Sequence, residues 1–515
     1  MSIYLADTVA DLLARHPADA PAILTPARDG ASRAPLTYGA LRALAGRTRG
    51  TFNGLGIGRN DRVAMVLPNG PEAASAWLAV ATFATAAPLN PAYRAEELTF
   101  SLSDLRARAL IVQKGVEGPA REVAARLGIP VVELTPDPAV AGAFTLEAPA
   151  APAAPRPAEE NTADDIALVL HTSGTTARPK IVPLSSRNIT ASAWHIVHVL
   201  HLSPDDVCLN LMPMFHIHGL IATVLCSMAG GGAVCCVPGF NAFRFFAWFD
   251  EIRPTWFSAV PTIHQALLPL APRHPDILAR ARVRLIRSSS SSMPPQVMHA
   301  LEETFHAPML EAYGMTEAAH QICANPPPPR PHYAGSVGPS GGPELAIMDP
   351  AGNLLPCGVT GEVVIRGRNV FAGYEANPEA NARAFTSGWF RTGDVGHLDA
   401  AGYLRLSGRL KELINRGGEK ISPLEVDAVL MDHPAVLQVA TFAMPHEKLG
   451  EEVAAAVVLR EGMALDEATL RGFAAERLAA FKVPRRVVFL AEIPKGPTGK
   501  LQRIGLAARL GLAGA

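Results

Sequence analysis

The feature that most constrains this chain is its alternation of two apolar patterns. Helical spacing, as at Val9, Leu12 and Leu13, gives way to short apolar runs such as Val63-Ala64-Met65-Val66-Leu67, which stop at Pro68-Asn69-Gly70. Apolar residues three and four apart line one face of a helix, whereas a short apolar run bounded by turn residues suits a buried strand. A chain that keeps exchanging the two folds as α/β. Its 515 residues exceed what one hydrophobic core organises, so more than one core is required.

The alternation resumes at Ile166, runs to about residue 345, and then gives way to short strands and turns, as in Gly361-Glu362-Val363-Val364-Ile365-Arg366-Gly367. After Arg409 the pattern changes again, with an apolar run at 452–458 and helical spacing from Asp466 to Leu478. The expectation is a large multi-subdomain N-terminal domain with mixed sheets and a β-rich subdomain, residues 1–409, and a small mobile α+β domain, residues 410–515. The Ala- and Pro-rich stretch 148–158 reads as a surface connector.

Composition removes several classes of function. The 46 basic and 47 acidic residues leave a formal charge of −1, which gives no general attraction for nucleic acid or an anionic membrane and leaves small molecules as partners. Six cysteines without metal-ligand spacing or disulfide-scaffold density favour a reducing compartment. The N-terminal residues lack a basic segment followed by an apolar run, so the expected location is the cytoplasm. The most apolar window, 220–237, is split by Gly230-Gly231-Gly232 and reads as a buried helix followed by a strand, not a membrane span.

Four motifs carry chemistry. Thr172-Ser173-Gly174-Thr175-Thr176-Ala177-Arg178-Pro179-Lys180 follows a strand at 166–170 and combines hydroxyls, a glycine and a lysine, as a loop around a polyphosphate requires. It lacks the Gly-Lys-Ser/Thr order of a P-loop. Tyr313-Gly314-Met315-Thr316-Glu317, preceded by Glu311-Ala312, sets a carboxylate beside a hydroxyl, which suits Mg2+ facing phosphates. Trp389-Phe390-Arg391-Thr392-Gly393-Asp394 and Gly408-Arg409-Leu410-Lys411-Glu412 offer an acid for ribose hydroxyls and an arginine to share them. Pro494-Lys495-Gly496-Pro497-Thr498-Gly499-Lys500 lets a lysine approach a ligand closely. Each taken alone also reads as an ordinary turn or basic tail.

In this order and spacing, the four motifs resemble the acyl-adenylate-forming superfamily, over nearly the whole chain. That superfamily includes acyl-CoA synthetases, firefly luciferase and the adenylation domains of peptide synthetases. The resemblance implies ATP and Mg2+, with Thr172, Ser173, Gly174, Thr175, Thr176 and Lys180 on the β- and γ-phosphates, and Thr316 and Glu317 on the α-phosphate and metal. Glu311, Ala312 and Tyr313 fall in the nucleotide site, Asp394 and Arg409 on the ribose, and Lys500 matches the lysine bridging carboxylate, α-phosphate and ribose. Lys411 matches the hinge about which the small domain turns between adenylation and thiol transfer, and Gly417-Gly418 would leave room for a pantetheine arm. Ala177 and Ile181 stand where glycine is common, and Gly496 where threonine is usual.

Coenzyme A is the expected acceptor, because no carrier-protein domain follows the small domain. Met214-Phe215-His216-Ile217-His218-Gly219, the run Arg287-Ser288-Ser289-Ser290-Ser291-Ser292 and His320 make an unusually polar acid site, poorly suited to a fatty acyl chain. These segments are similar to the oxalate:CoA ligases of plants and fungi, in which His216, Ser290 and His320 would contact the substrate. Arg287 reads equally as a substrate contact or as a brace of the sheet. The other readings are a ligase for a short or medium fatty or aryl acid, and a non-catalytic adenylate-binding protein.

Overall fold

The structure is a computed structural model that describes residues 3–28, 30–150, 154–172, 179–495 and 501–512. The described residues form four sheets, and two of them build the large N-terminal region. In one, the strands Arg62–Val66, Thr85–Pro88, Ala109–Gln113, Val131–Pro136 and Ile166–His171 run parallel, with antiparallel edges at Phe144–Glu147 and Ile181–Ser185. In the other, Met309–Met315, Leu285–Ser288, Trp256–Ala259, Val207–Asn210, Ala233–Cys236 and Pro21–Leu24 lie side by side in parallel. Its antiparallel edges are His320–Ala324 and Leu36–Thr37.

These strands are short and apolar because helices cover them; all four residues of Trp256–Ala259 and of Leu285–Ser288 are buried. One continuous core, containing Trp77, Phe52, Phe83 and Trp256, spans both sheets, and a second, rich in Phe245, Phe249, Phe257 and Phe305, packs on the far side of the second sheet. The aromatic rings of the second core meet edge-on at centroid distances such as 5.5 Å for Phe245 and Phe257.

The third sheet is antiparallel, from Glu344–Met348 to Leu404–Arg409, and gives the expected β-rich subdomain. The fourth, built on Val436–His446 and Gly450–Leu459, carries its own cores around Val426, Leu430 and Leu470 on one face and Phe442 and Leu506 on the other. Its expected helix occupies Glu467–Ala475, started by Asp466, whose side chain accepts from Thr469 N at 2.7 Å.

The window 220–237 is a helix and a strand. Helical residues run from Ile217 to Gly230, including a π turn at Leu220–Leu225, and the strand is Ala233–Cys236. Gly231 ends the helix at φ +78°, where a Cβ would lie 2.8 Å from His16 Nδ1. No helix among the described residues is long and apolar enough to cross a membrane.

Candidate active site

The ends of strands from three sheets meet where the nucleotide motifs lie. The Ile166–His171 and Ile181–Ser185 strands pair antiparallel, and the neck of the loop between them is closed by Thr172 N donating to Lys180 O at 2.9 Å. Lys180 N returns a bond to Thr172 Oγ1 at 3.1 Å. Ser173, Gly174, Thr175 and Thr176 lie outside the described residues, as does Lys500. Lys180 Nζ stands 4.3 Å from the centroid of the Tyr374 ring, and the Tyr374 hydroxyl donates to Glu317 Oε1 at 2.8 Å. The phosphate-loop lysine and the acid of the second motif are thus joined through one tyrosine that the motifs do not contain.

Glu317 is buried, and burial raises its carboxyl above the ordinary range, against the Tyr374 hydrogen bond, a backbone hydrogen bond and the nearby charges of Arg409 and Lys180. A further positive partner would favour the carboxylate. Thr316 and Glu317 begin a single 3-10 turn directly after the Met309–Met315 strand, and Ala319 and His320 then take φ +47° and +91° to reverse the chain. The return strand lies so close that a Cβ on Gly314 would fall 1.7 Å from His320 O.

Asp394 and Arg409 are register partners on adjacent strands, with Arg409 Nε 3.2 Å from Asp394 Oδ1. The Tyr313 hydroxyl donates to Asp394 Oδ2 at 2.5 Å, and burial, then the Asp394 charge, hold that phenol far above its ordinary pKa. The pair sits at the rim, Asp394 buried and Arg409 exposed. Glu311 behaves differently: its side chain faces the core, accepts Met293 N at 3.0 Å and is pushed up to about 8 by burial. It anchors the loop after Leu285–Ser288 to the neighbouring strand.

Between these strands lies a buried polar cluster. His218 Nε2 is 2.7 Å from Ser258 Oγ, its Nδ1 is 3.2 Å from Ser290 Oγ, and its ring centroid is 5.2 Å from that of His320. Arg287 is the register partner of Ser258 and donates to Ser258 Oγ at 3.4 Å, to Gln321 Oε1 at 3.0 Å and toward His320 Nδ1 at 3.5 Å. Two of the three acid-site residues expected from sequence, Ser290 and His320, thereby meet through His218. The third, His216, caps the short helix Ile217–Gly219, its Nδ1 accepting His218 N at 3.3 Å. Sequence reading missed Ser258 and Gln321. For Ser258 the signal available was a single polar residue inside a strand otherwise made for the core, whereas Gln321 directly follows His320 and carried no separate signal.

Lys411 is exposed, in the turn that follows Leu404–Arg409. Gly417 and Gly418, at φ +60° and +102°, form the two-residue turn between Ile414–Arg416 and Glu419–Ile421, a geometry in which glycine is strongly favoured. A hairpin turn is therefore what these residues build, and both are exposed.

No group of three or more His, Cys, Asp or Glu side chains among the described residues forms a ready-made metal cage. The one carboxylate of Glu317 beside the Thr316 hydroxyl suits Mg2+, which takes one or two protein carboxylates and completes its shell with phosphate and water.

The α/β body and the β-rich subdomain meet at one site that carries the nucleotide motifs, with a separate small C-terminal sheet beyond them, which is the arrangement of a nucleotide-handling enzyme. The chain belongs to the AMP-binding enzyme family, matching its main domain over residues 9–375 and its C-terminal domain over residues 425–500. It is 46% identical to an oxalate–CoA ligase of Arabidopsis thaliana, over 87% of this chain and 88% of the other. It is 39% identical to an oxalate–CoA ligase of Saccharomyces cerevisiae, over 86% of each chain. Among solved structures, ATP-bound MatB from Rhodopseudomonas palustris superposes with a TM-score of 0.87 at 30% identity, covering 98% of this chain and 99% of that one.

Proposed function

We propose that this protein is an ATP-dependent acid:CoA ligase whose acid is oxalate. The observation that carries the acid is the buried cluster of His218, Ser258, Arg287, Ser290 and His320, which offers hydrogen-bond donors and positive charge where a fatty acyl ligase would need an apolar tunnel. Relatives named for oxalate, at 46% and 39% identity, support the same reading.

In the first half-reaction one oxalate carboxylate oxygen attacks the α-phosphorus of ATP; the bond to the β-phosphate bridge breaks, giving oxalyl-adenylate and pyrophosphate. Both partners are anions, so the reaction needs positive charge fixed at the reacting groups. Thr172, Ser173, Gly174, Thr175, Thr176 and Lys180 hold the outgoing phosphates, and Lys500 spans the carboxylate and the α-phosphate. Glu317 and Thr316 hold Mg2+, which neutralises phosphate charge when bound. Asp394, oriented by Tyr313 and Arg409, takes the ribose hydroxyls, and Ala312 belongs to the nucleotide site. His216, Ser290 and His320 receive the acid.

In the second half-reaction the CoA thiol, losing its proton, attacks the oxalyl carbonyl carbon, and the carbon–oxygen bond to AMP breaks. Rotation of the small domain, residues 410–515, about Lys411 exchanges the Lys500 segment for the Gly417-Gly418 turn, whose exposed backbone admits the pantetheine arm. Free cysteines, including the exposed Cys357, fit a reducing location such as the cytoplasm.

The test is pyrophosphate release by the purified protein with MgATP and CoA, comparing oxalate, malonate, acetate, octanoate and 4-coumarate. Preference for oxalate supports the reading. Preference for octanoate or coumarate keeps the two-step chemistry and removes the acid, and no release with any acid removes the enzyme.

A further inference from the structure

Several arginines whose side chains are mostly covered end on carboxylates: Arg284 on Asp206, Arg391 on Glu362, Arg416 on Glu452 and Arg503 on Asp427; Arg42 and Arg405, also partly covered, end on backbone carbonyls. Arg287, more deeply buried than any of these at 0% exposure, meets no carboxylate among the described residues. The groups it meets, Ser258 Oγ, Gln321 Oε1 and His320 Nδ1, include no carboxylate, and its Nε has no partner among the described residues. Burial lowers its pKa to about 10, so it remains a cation at neutral pH. A buried charge without a counter-ion is costly, and a ligand that supplied one would offset that cost.

Starting from the guanidinium, one consistent set of donors and acceptors can be traced through the cluster. A guanidinium only donates. Ser258 Oγ, accepting from Arg287, has its one proton left for His218 Nε2, 2.7 Å away. His218 then carries its own proton on Nδ1 and donates to Ser290 Oγ, 3.2 Å away, which frees the Ser290 hydroxyl proton to point onward. On the other arm, Arg287 faces His320 Nδ1, which places the proton of a neutral ring on Nε2. Both relays end in donors, on the two residues expected to hold the acid.

We propose that Arg287 is the specificity-determining residue of the acid site, a positioning residue that polarises both relays toward an anion and so selects an acid whose second end is charged. This rests on the oxalate reading above and deepens it. The missing counter-ion is the distal carboxylate of the substrate.

The test compares R287M and R287K with the unmodified enzyme, measuring kcat and KM for oxalate, acetate and ATP by pyrophosphate release. R287M is expected to raise the oxalate KM by about thirtyfold or more, the loss typical of a buried charge partner, with the ATP KM within about twofold and a much smaller loss on acetate. R287K, which keeps the charge and loses the fork, recovers part of the oxalate affinity. Equal losses on oxalate and acetate, or identical behaviour of the two variants, overturn the role and leave Arg287 a brace. A second measurement needs no variant: oxamate, oxalate with one carboxylate replaced by an amide, is titrated as a competitor of oxalate in the unmodified enzyme. Competition at least about thirtyfold weaker than the oxalate KM supports the inference, and equal affinity overturns it. Failure of the unmodified enzyme to turn over oxalate overturns the functional reading itself, whereas turnover with equal losses in R287M overturns only the role of Arg287.

Discussion

Gly314→Ala separates the architecture of the site from its chemistry. The added Cβ would lie 1.7 Å from His320 O, whereas ordinary contact begins at 3.4 Å. The deficit of 1.7 Å is against main chain on both sides, so no rotamer relieves it, and 2.6 Å to His320 C and 3.0 Å to His320 Nδ1 close the other directions. The Met309–Met315 and His320–Ala324 strands must move apart, and the turn between them carries Thr316 and Glu317. Overpacking a well-packed site costs about 1–3 kcal/mol of stability, and a displacement of about 1 Å at reacting groups costs about a hundredfold in rate. The expected result is therefore a folded protein with a lowered melting temperature and a loss in kcat/KM far larger than the stability loss explains. Thermal unfolding and pyrophosphate release on the same preparation measure both. Activity within a few-fold of the unmodified enzyme would refute the reasoning, because it would mean the strands do not approach as described.

Asp394→Asn removes the charge that accepts Tyr313 at 2.5 Å and pairs Arg409; its effect is expected on the ATP KM, by about tenfold or more, with the oxalate KM little changed. Steady-state kinetics with each substrate varied in turn will show whether the loss is confined to the nucleotide. Glu311→Gln concerns pH: burial raises the folded-state pKa from 4.5 to about 8, so between these values the folded protein holds a proton that the unfolded chain has released. The stability associated with this group is fully present below about pH 4.5 and is lost as pH rises through about 8. The variant keeps an acceptor for Met293 N and should flatten that dependence, giving the larger gain in melting temperature at pH 8; an unchanged pH slope would place the carboxyl in contact with water.

Much of this protein is legible in one dimension. Strands such as Arg62–Val66 and Gly361–Arg366 follow from apolar runs ended by turn residues, and the helix Glu467–Ala475 from its spacing and its Asp466 cap. The nucleotide motifs are legible for the same reason, since a loop that wraps phosphates needs its hydroxyls, glycine and lysine consecutive in the chain. Two glycines mark the opposite case: Gly231 and Gly314 answer to His16 and to His320, contacts that exist only once distant or returning segments have packed.

The acid site was readable only in part. His216, Ser290 and His320 were expected from unusually polar segments similar to those of oxalate:CoA ligases, but their grouping follows from strand order. Trp256–Ala259 and Leu285–Ser288 lie adjacent in register, placing Ser258 beside Arg287, and the antiparallel return of His320–Ala324 brings Gln321 and His320 to the same guanidinium. Tyr374, which ties Lys180 to Glu317, belongs to no motif at all. The amino-acid sequence by itself determined the α/β class, the nucleotide motifs and their order, because these depend on local periodicity and on residues adjacent in the chain. Which histidine meets which serine, and that one arginine is buried with no carboxylate among the described residues to answer it, was decided by the tertiary structure, because sheet order and register, not spacing along the chain, set the distance between side chains tens of residues apart.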